Sequence, residues 1–281
     1  MIKAIIIVVF IASLILGFLY MLAPNEKRDC GKFRNVWFAH RGLHEPADKS
    51  KTGICIPENS LAAFKRAKEE RLGVELDVQY TKDGQIVVFH DANLKRMCGV
   101  DIKVADLTYE ELRQYSLEGT DERIPLFKDV LELLEDRPLV CEIKNHNGNK
   151  NDKLCEETYE LLETYGGDYC IESFSPFLVQ WFRINHPEVI RGQLSCDCKD
   201  ADIGKVSGFL LTHLLVNMFS RPDFIAYRHR DTGKLGFILC KIIYHPLLVA
   251  WTARGKAEQN SAWTKFDSVI FELHENDNPV E

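Results

Sequence analysis

Two carboxylates one residue apart, Glu75-x-Asp77, interrupt an otherwise apolar run, and a third, Glu142, closes another run two residues before Lys144. If those runs are strands, side-chain alternation puts Glu75 and Asp77 on one face, and Glu142 and Lys144 likewise on one face. Carboxylates that face inward from neighbouring strands are costly to bury unless a cation or hydrogen bonds compensate them. Hard oxygen donors, without a thiolate pair or a multi-histidine set, suit one divalent cation, Mg²⁺ or Ca²⁺, better than zinc. A lone Glu-x-Asp is common on a strand edge and pairs with Arg or Lys. Three such carboxylates together argue for a metal.

His40 and His90 also close apolar runs, in His40-Arg41-Gly42 and His90-Asp91. Imidazole titrates nearest neutrality, so two of them beside one acidic cluster form a candidate proton-transfer pair. Arg41 offers a planar bidentate donor for phosphate, and Lys144 adds a point charge. His44, His146, His186, His213, His229, His245 and His274 lack such context and are expected to be structural or exposed.

The elements that would position these groups follow from the hydrophobic pattern. Strands are expected at 36–39, 74–80, 86–89, 138–143, 170–174, 190–195, 224–227, 247–251 and 268–271, alternating with helices at 154–165, 177–185, 209–218, 234–244 and 256–266. Asn59-Ser60 ahead of Leu61, Phe64 and Ala67 reads as a capped helix start, and another helix ends at Leu131–Leu134. This alternation implies a parallel sheet. The link Thr81-Lys82-Asp83-Gly84-Gln85 is too short for a parallel crossover, so 74–80 and 86–90 must form an antiparallel hairpin. Centred on Asp83, that hairpin returns His90 beside Leu76 and Asp77. Eight parallel strands are then left, the number that closes a TIM (β/α)₈ barrel, with active sites at strand C-terminal ends.

Residues 4–22 are almost wholly apolar and long enough to cross a bilayer, and the run exceeds a signal-peptide core without a small-x-small cleavage site. The expected organisation is a transmembrane anchor over 1–23, a juxtamembrane linker over 24–34 and a barrel over 35–281. Lys27, Arg28, Lys32 and Arg34 follow the apolar run, whereas Lys3 alone precedes it, which leans towards a single-pass protein with a cytoplasmic barrel. Nine cysteines without a disulfide-framework spacing lean the same way, and Cys196-x-Cys198 is not a zinc knuckle. A net charge of −7 with no basic stripe argues against nucleic acid as a partner.

Ala39-His40-Arg41-Gly42, Pro57-Glu58-Asn59-Ser60, Glu75-Leu76-Asp77-Val78, Thr81-Lys82-Asp83-Gly84, Val87-Val88-Phe89-His90-Asp91 and Cys141-Glu142-Ile143-Lys144, in this order, resemble the signature of the glycerophosphodiester phosphodiesterase family. The likeness continues faintly through Ile124-Pro125-Leu126, Glu172-Ser173-Phe174, Trp251-Thr252 and Phe266–Ile270. It implies metal-dependent hydrolysis of glycerophosphodiesters to an alcohol and glycerol 3-phosphate. By the same resemblance, Glu75, Asp77 and Glu142 match the metal ligands, and His40 and His90 the general acid and base. Arg41 and Lys144 match phosphate contacts, Glu58 lies in the site region, and Asn59 could serve only as a helix cap.

The chain departs from the family pattern at Trp251-Thr252-Ala253-Arg254, where Asn often follows the Trp-Thr pair, and at Phe271-Glu272, where Thr-Asp is frequent. These late-strand positions bear on substrate selection, with Trp251 either stacking on the substrate or packing in the barrel wall. A site held at a membrane would also meet lysolipids, so lysophospholipase D activity is the alternative. A non-catalytic barrel that binds phospho-ligands is a third possibility, in which no metal ligand or histidine need be kept.

Overall fold

The computed structural model describes residues 1–25, 29–46, 53–146 and 151–273. Lys27, Arg28 and His274 lie outside the described residues. The strands are β1 (Trp37–His40), β2 (Gly73–Tyr80), β3 (Ile86–Val88), β4 (Leu139–Ile143), β5 (Tyr169–Ser173), β6 (Arg191–Ser195), β7 (Phe224–Arg228), β8 (Leu247–Arg254) and β9 (Ser268–Glu272). Eight of them pair in parallel, from β1 through β2, β4, β5, β6, β7 and β8 to β9, which closes back onto β1. The chain is a TIM-like α/β barrel.

The remaining strand, β3, pairs antiparallel with β2, and Val78 opposes Val88 while Tyr80 opposes Ile86. The turn between them is held by Thr81 Oγ1, which accepts from the Gln85 N–H at 2.9 Å. The register is the one centred on Asp83, and the Phe89 N–H reaches the Asp77 carbonyl at 2.9 Å. Beyond β3, the excursion before the helix Phe127–Leu134 carries its own apolar cluster of Phe89, Leu94, Met97, Val104, Leu112 and Leu117.

Parallel strands covered on both faces must be apolar on both. Outer positions such as Val74, Leu76, Cys141 and Ile171 pack under the helices. Inner positions near the strand starts, among them Phe38, Val140, Cys170, Phe224 and Leu247, close the barrel's far end together with Phe33. That plug leaves the strand C-terminal ends as the open mouth.

The helix expected over 209–218 is two pieces, Lys205–Thr212 and Asn217–Ser220, with Leu214 in the left-handed region at φ 59°. The unbroken apolar run hid this break. The carbonyls of Leu211 and Thr212 accept from Ser195 Oγ at 2.6 Å and Tyr227 Oη at 2.8 Å, so barrel strands hold the end of the first piece.

The N-terminal helix Ile2–Leu22 is long and apolar enough to cross a membrane. Its body is exposed, but its last turn belongs to the barrel. Leu22 is fully buried, and Asn217 Nδ2 donates to its carbonyl at 2.9 Å. Tyr244 Oη donates to the Leu19 carbonyl at 2.8 Å, and Arg221 donates to the carbonyls of Tyr20 and Ala23 at 2.9 and 2.7 Å.

Candidate active site

At the end of β1 the chain turns through Arg41 at φ 54° and Gly42 at φ 78°. A Cβ at position 42 would stand 2.9 Å from the Ala63 backbone, so glycine alone fits. The turn aims the Arg41 N–H at Glu75 Oε2 at 3.0 Å, and the Arg41 carbonyl accepts from the Asn59 N–H at 2.9 Å. The segment Pro57 to Ser60 is thereby drawn over the mouth. Its cap differs from the expectation for Asn59: Ser60 Oγ accepts from the Ala63 N–H at 3.1 Å and starts the helix Leu61–Glu69. Asn59, itself left-handed at φ 53°, donates through Nδ2 to Asp77 Oδ2 at 2.9 Å. A helix that starts one residue later than Asn59 would cap frees that amide to hold a carboxylate.

Strand register sets the acidic groups side by side. His40 pairs with Glu75, Asp77 with Glu142, and Glu142 with Glu172. Glu75, Asp77 and Glu142 are buried, with carboxylate oxygens within 4.8 Å of one another. Lys144 Nζ lies 2.8 Å from Asp77 Oδ1 and 2.8 Å from Glu142 Oε1. Arg41 Nε is 3.4 Å from Asp77 Oδ2, and its Nη1 donates to Glu58 Oε1 at 2.7 Å.

Burial and crowding of like charges divide these groups. Burial, then Asp77 and Glu142, pushes Glu75 well above the usual carboxylate range. Burial also raises Glu142, against the pull of Lys144. Asp77 goes the other way: burial opposes ionisation, but Lys144 and Arg41 overcome it and hold the group well below its usual range. Glu172, fully buried beside Glu142, is raised first by burial and then by that neighbour, and its Oε2 finds no hydrogen-bond partner among the described residues. Four buried carboxylates thus share two cations, Lys144 and Arg41. The donor set of Glu75, Asp77 and Glu142 fits a hard divalent cation in both charge and chemistry.

Each histidine has a carboxylate behind Nδ1. His40 Nδ1 lies 2.7 Å from Glu272 Oε1, and its Nε2 is 3.9 Å from Glu75 Oε2. His90 Nδ1 lies 2.7 Å from Asp91 Oδ1. Burial, then the Arg41 charge, lowers His40 to about 4 despite the counter-pull of Glu272. Arg96 ties the second histidine to the first turn, through Nε to Asp91 Oδ2 at 2.7 Å and Nη2 to Glu58 Oε1 at 2.6 Å. Burial alone would raise Glu58, but Arg96 and Arg41 outweigh it and bring it down to about 2.

Of the expected site residues, His40, Arg41, Glu58, Glu75, Asp77, His90, Glu142 and Lys144 stand together at the mouth. Trp251 lies partly buried in the wall, edge-on to Phe174 at 5.5 Å between ring centres. Arg96, which the sequence did not single out, completes the set with Asp91, Glu172, Arg254 and Glu272, which the sequence named only within motifs or at departures from the family pattern. Two histidines expected to be structural or exposed border it as well. His44 groups with His40 and Glu272, and His146 Nε2 lies 2.9 Å from the His90 carbonyl. The His90-Asp91 dipeptide carried one signal. No spacing in the chain announces a partner 232 residues away, as Glu272 is from His40.

The model of the glycerophosphoryl diester phosphodiesterase family matches residues 40–189, just over half of the chain. Lysophospholipase D GDPD1 of Rattus norvegicus is 41% identical over 121 residues, covering 38% of this chain and 37% of the relative. A glycerophosphodiester phosphodiesterase of Caldanaerobacter subterraneus is 40% identical over 100 residues, covering 33% of this chain and 41% of that one. The matched stretch therefore spans less than half the length of either relative. A phosphodiesterase structure from Oleispira antarctica superposes with a TM-score of 0.68 at 21% identity, covering 86% of this chain and 94% of the other, a likeness of fold. On the family match and the barrel that carries it, the chain belongs to the glycerophosphoryl diester phosphodiesterase family.

Proposed function

We propose that this protein hydrolyses glycerophosphodiesters to an alcohol and glycerol 3-phosphate, with Glu75, Asp77 and Glu142 holding one divalent cation, Mg²⁺ or Ca²⁺. The observation that carries the reading is the convergence of three buried carboxylates with Lys144 and two carboxylate-backed imidazoles at one barrel mouth. The Oleispira relative of fold was solved with the product sn-glycerol-3-phosphate, which supports the same substrate class. A divalent cation held by Glu75, Asp77 and Glu142 would supply Lewis-acid polarisation of a phosphoryl oxygen. Arg41 and Lys144 add fixed positive charge where the phosphoryl oxygens gain negative charge. With Nδ1 donating to Glu272 or Asp91, each imidazole presents Nε2 for proton transfer. One takes the proton of the attacking oxygen, and the other returns a proton to the leaving oxygen. The attacker is water or a neighbouring glycerol hydroxyl; product analysis in ¹⁸O-labelled water separates the two.

A second reading, lysophospholipase D activity, is favoured by the apolar N-terminal helix and by the rat relative that carries that name. In either reading 1–23 is a single-pass anchor, 24–34 a linker and 35–281 a barrel on the cytoplasmic side. The deciding assay is turnover of glycerophosphocholine and lysophosphatidylcholine by the full chain, with chelator and metal add-back. If instead the barrel only binds phospho-ligands, His40→Ala leaves turnover of both at the level of the parent.

A further inference from the structure

The turn that follows β1 brings a second histidine back to the first. After the left-handed pair Arg41 and Gly42, the Leu43 N–H donates to the Ala63 carbonyl at 3.0 Å, and Glu45 and Ile56 exchange backbone hydrogen bonds of 2.8 Å each. Arg66 Nη1 fixes the Glu45 side chain at 2.7 Å. His44 is held between these contacts and offers a ring nitrogen within 4.8 Å of donor atoms on His40 and Glu272. All three side chains are half-buried, which leaves them open to an ion from solvent.

This set differs in kind from Glu75, Asp77 and Glu142. Those supply three oxygens, whereas two imidazoles and one carboxylate are donors that Zn²⁺ takes while a fourth position stays open to water. Donors around a tetrahedral Zn²⁺ stand about 3.3 Å apart, so a small rotation of the side chains closes the set. The two sets meet opposite nitrogens of one ring: Glu272 Oε1 is 2.7 Å from His40 Nδ1, and Glu75 Oε2 is 3.9 Å from Nε2.

We propose that His40, His44 and Glu272 form a second cation site, for a borderline divalent ion such as Zn²⁺, whose filling switches the enzyme off by taking the His40 ring. That consequence rests on the phosphodiesterase reading above; the site itself does not. His40 ligates through the Nδ1 lone pair, and its Nδ1 proton passes through water to Nε2, so the ring stays neutral and no proton is gained or lost. An imidazole locked in that tautomer no longer accepts a proton at Nε2, and as a neutral donor it is far weaker than imidazolium. Arg254 competes for the Glu272 carboxylate through Nε at 2.7 Å and Nη2 at 3.0 Å, but its side chain is half exposed and is free to turn to water.

The test uses the full chain in detergent micelles with millimolar Mg²⁺, which supplies the carboxylate cluster with its own ion. Glycerophosphocholine turnover is titrated with Zn²⁺, each protein being normalised to its zinc-free rate. The intense visible absorption of four-coordinate Co²⁺ reads the site without catalysis, and ligation by cysteine sulfur is told apart by its near-ultraviolet charge-transfer band. Micromolar Zn²⁺ is expected to stop the parent. His44→Gln and His44→Asn, with folding checked by Tm, should raise the half-inhibiting concentration about tenfold or more and lose the visible band. Asp77→Asn, which disables the first site, should keep that band. Inhibition and absorption equal in the parent and both His44 variants overturn the proposal, as does full turnover in a parent whose band is saturated. A His44-dependent band in a protein that turns over nothing with any metal keeps the site and sinks the phosphodiesterase reading instead.

Discussion

Glu272, the last residue of β9, accepts a hydrogen bond from His40 Nδ1 at 2.7 Å, and Arg254 from β8 holds the same carboxylate through Nε at 2.7 Å and Nη2 at 3.0 Å. Charge and hydrogen bonds from His40 and Arg254 overcome burial and keep Glu272 ionised well below the usual carboxylate range. An ionised carboxylate only accepts, so the imidazole proton stays on Nδ1 and Nε2 turns towards Glu75. Two residues from late strands, Arg254 and Glu272, therefore meet behind one histidine.

Glu272→Gln is expected to lower kcat on glycerophosphocholine about 10- to 100-fold, because an amide can present N–H to the ring and favour the wrong tautomer. The pH profile gives a second readout. Glu272 raises His40 against burial, so its loss drives the imidazole below about 4, and an acid limb set by His40 moves to lower pH. Partial rescue by Glu272→Asp is expected. A kcat within about twofold of the parent, with an unmoved profile, removes Glu272 from any positioning role.

Adding Ca²⁺ or Mg²⁺ at about 100 times its Kd should stabilise the folded protein by roughly 2.7 kcal/mol, read as a rise in Tm. Asp77→Asn and Glu75→Gln should abolish that rise together with turnover. Lys144→Met strips a buried cation from Asp77 and Glu142. It should cost about 3–5 kcal/mol without metal and give a larger metal-induced rise. Equal thermal shifts in parent and Asp77→Asn would place the ion elsewhere.

The barrel and the hairpin register were legible because both follow from local rules: apolar runs of strand length, a link too short to cross over, and side chains alternating by two. The Glu75, Asp77 and Glu142 cluster was legible for the same reason, since each residue's face is fixed within its own strand. What stayed hidden are contacts made across the mouth. Arg96 reaches Glu58 from a short helix in the excursion, and Arg254 reaches Glu272 from the next strand. Asn59 was misassigned because a cap and a neighbour of a cap share the same letters, and only φ distinguishes them.

Acid should loosen the Arg41–Glu58–Arg96 bridge. Glu58 is lowered from 4.5 to about 2, so its contribution is fully present above pH 4.5 and is lost as pH falls through about 2. The size is about 3 kcal/mol by linkage. Stability measured by denaturant titration at pH 5 and pH 3 should fall more in the parent than in Glu58→Gln, which has already lost the charge. Parallel losses in both proteins would assign the acid sensitivity to other carboxylates.

Shortening the N-terminus should have two distinct outcomes. Removing residues 1–17 deletes exposed apolar surface but keeps Phe18, Met21 and Leu22 packed on the barrel. That variant is expected to leave the membrane fraction with its Tm intact. Removing 1–23 also strips the carbonyls that Asn217, Arg221 and Tyr244 hold, and it should cost about 1–3 kcal/mol through unsatisfied buried groups. Equal Tm values for the two variants would show that the last turn contributes nothing.

The turn from Thr81 to Gln85 touches no carboxylate of the cluster, yet it counts residues for the whole mouth. Side chains on β3 alternate by two, so deleting one residue there would swing His90 to the opposite face while Asp77 kept its place. Letters in that stretch are open to change wherever Thr81 Oγ1, the Asp83 carboxylate that accepts from the Tyr109 N–H, and the positive φ of Gly84 are respected. Its length is the fixed quantity, a spacer that behaves like the tooth count of a gear.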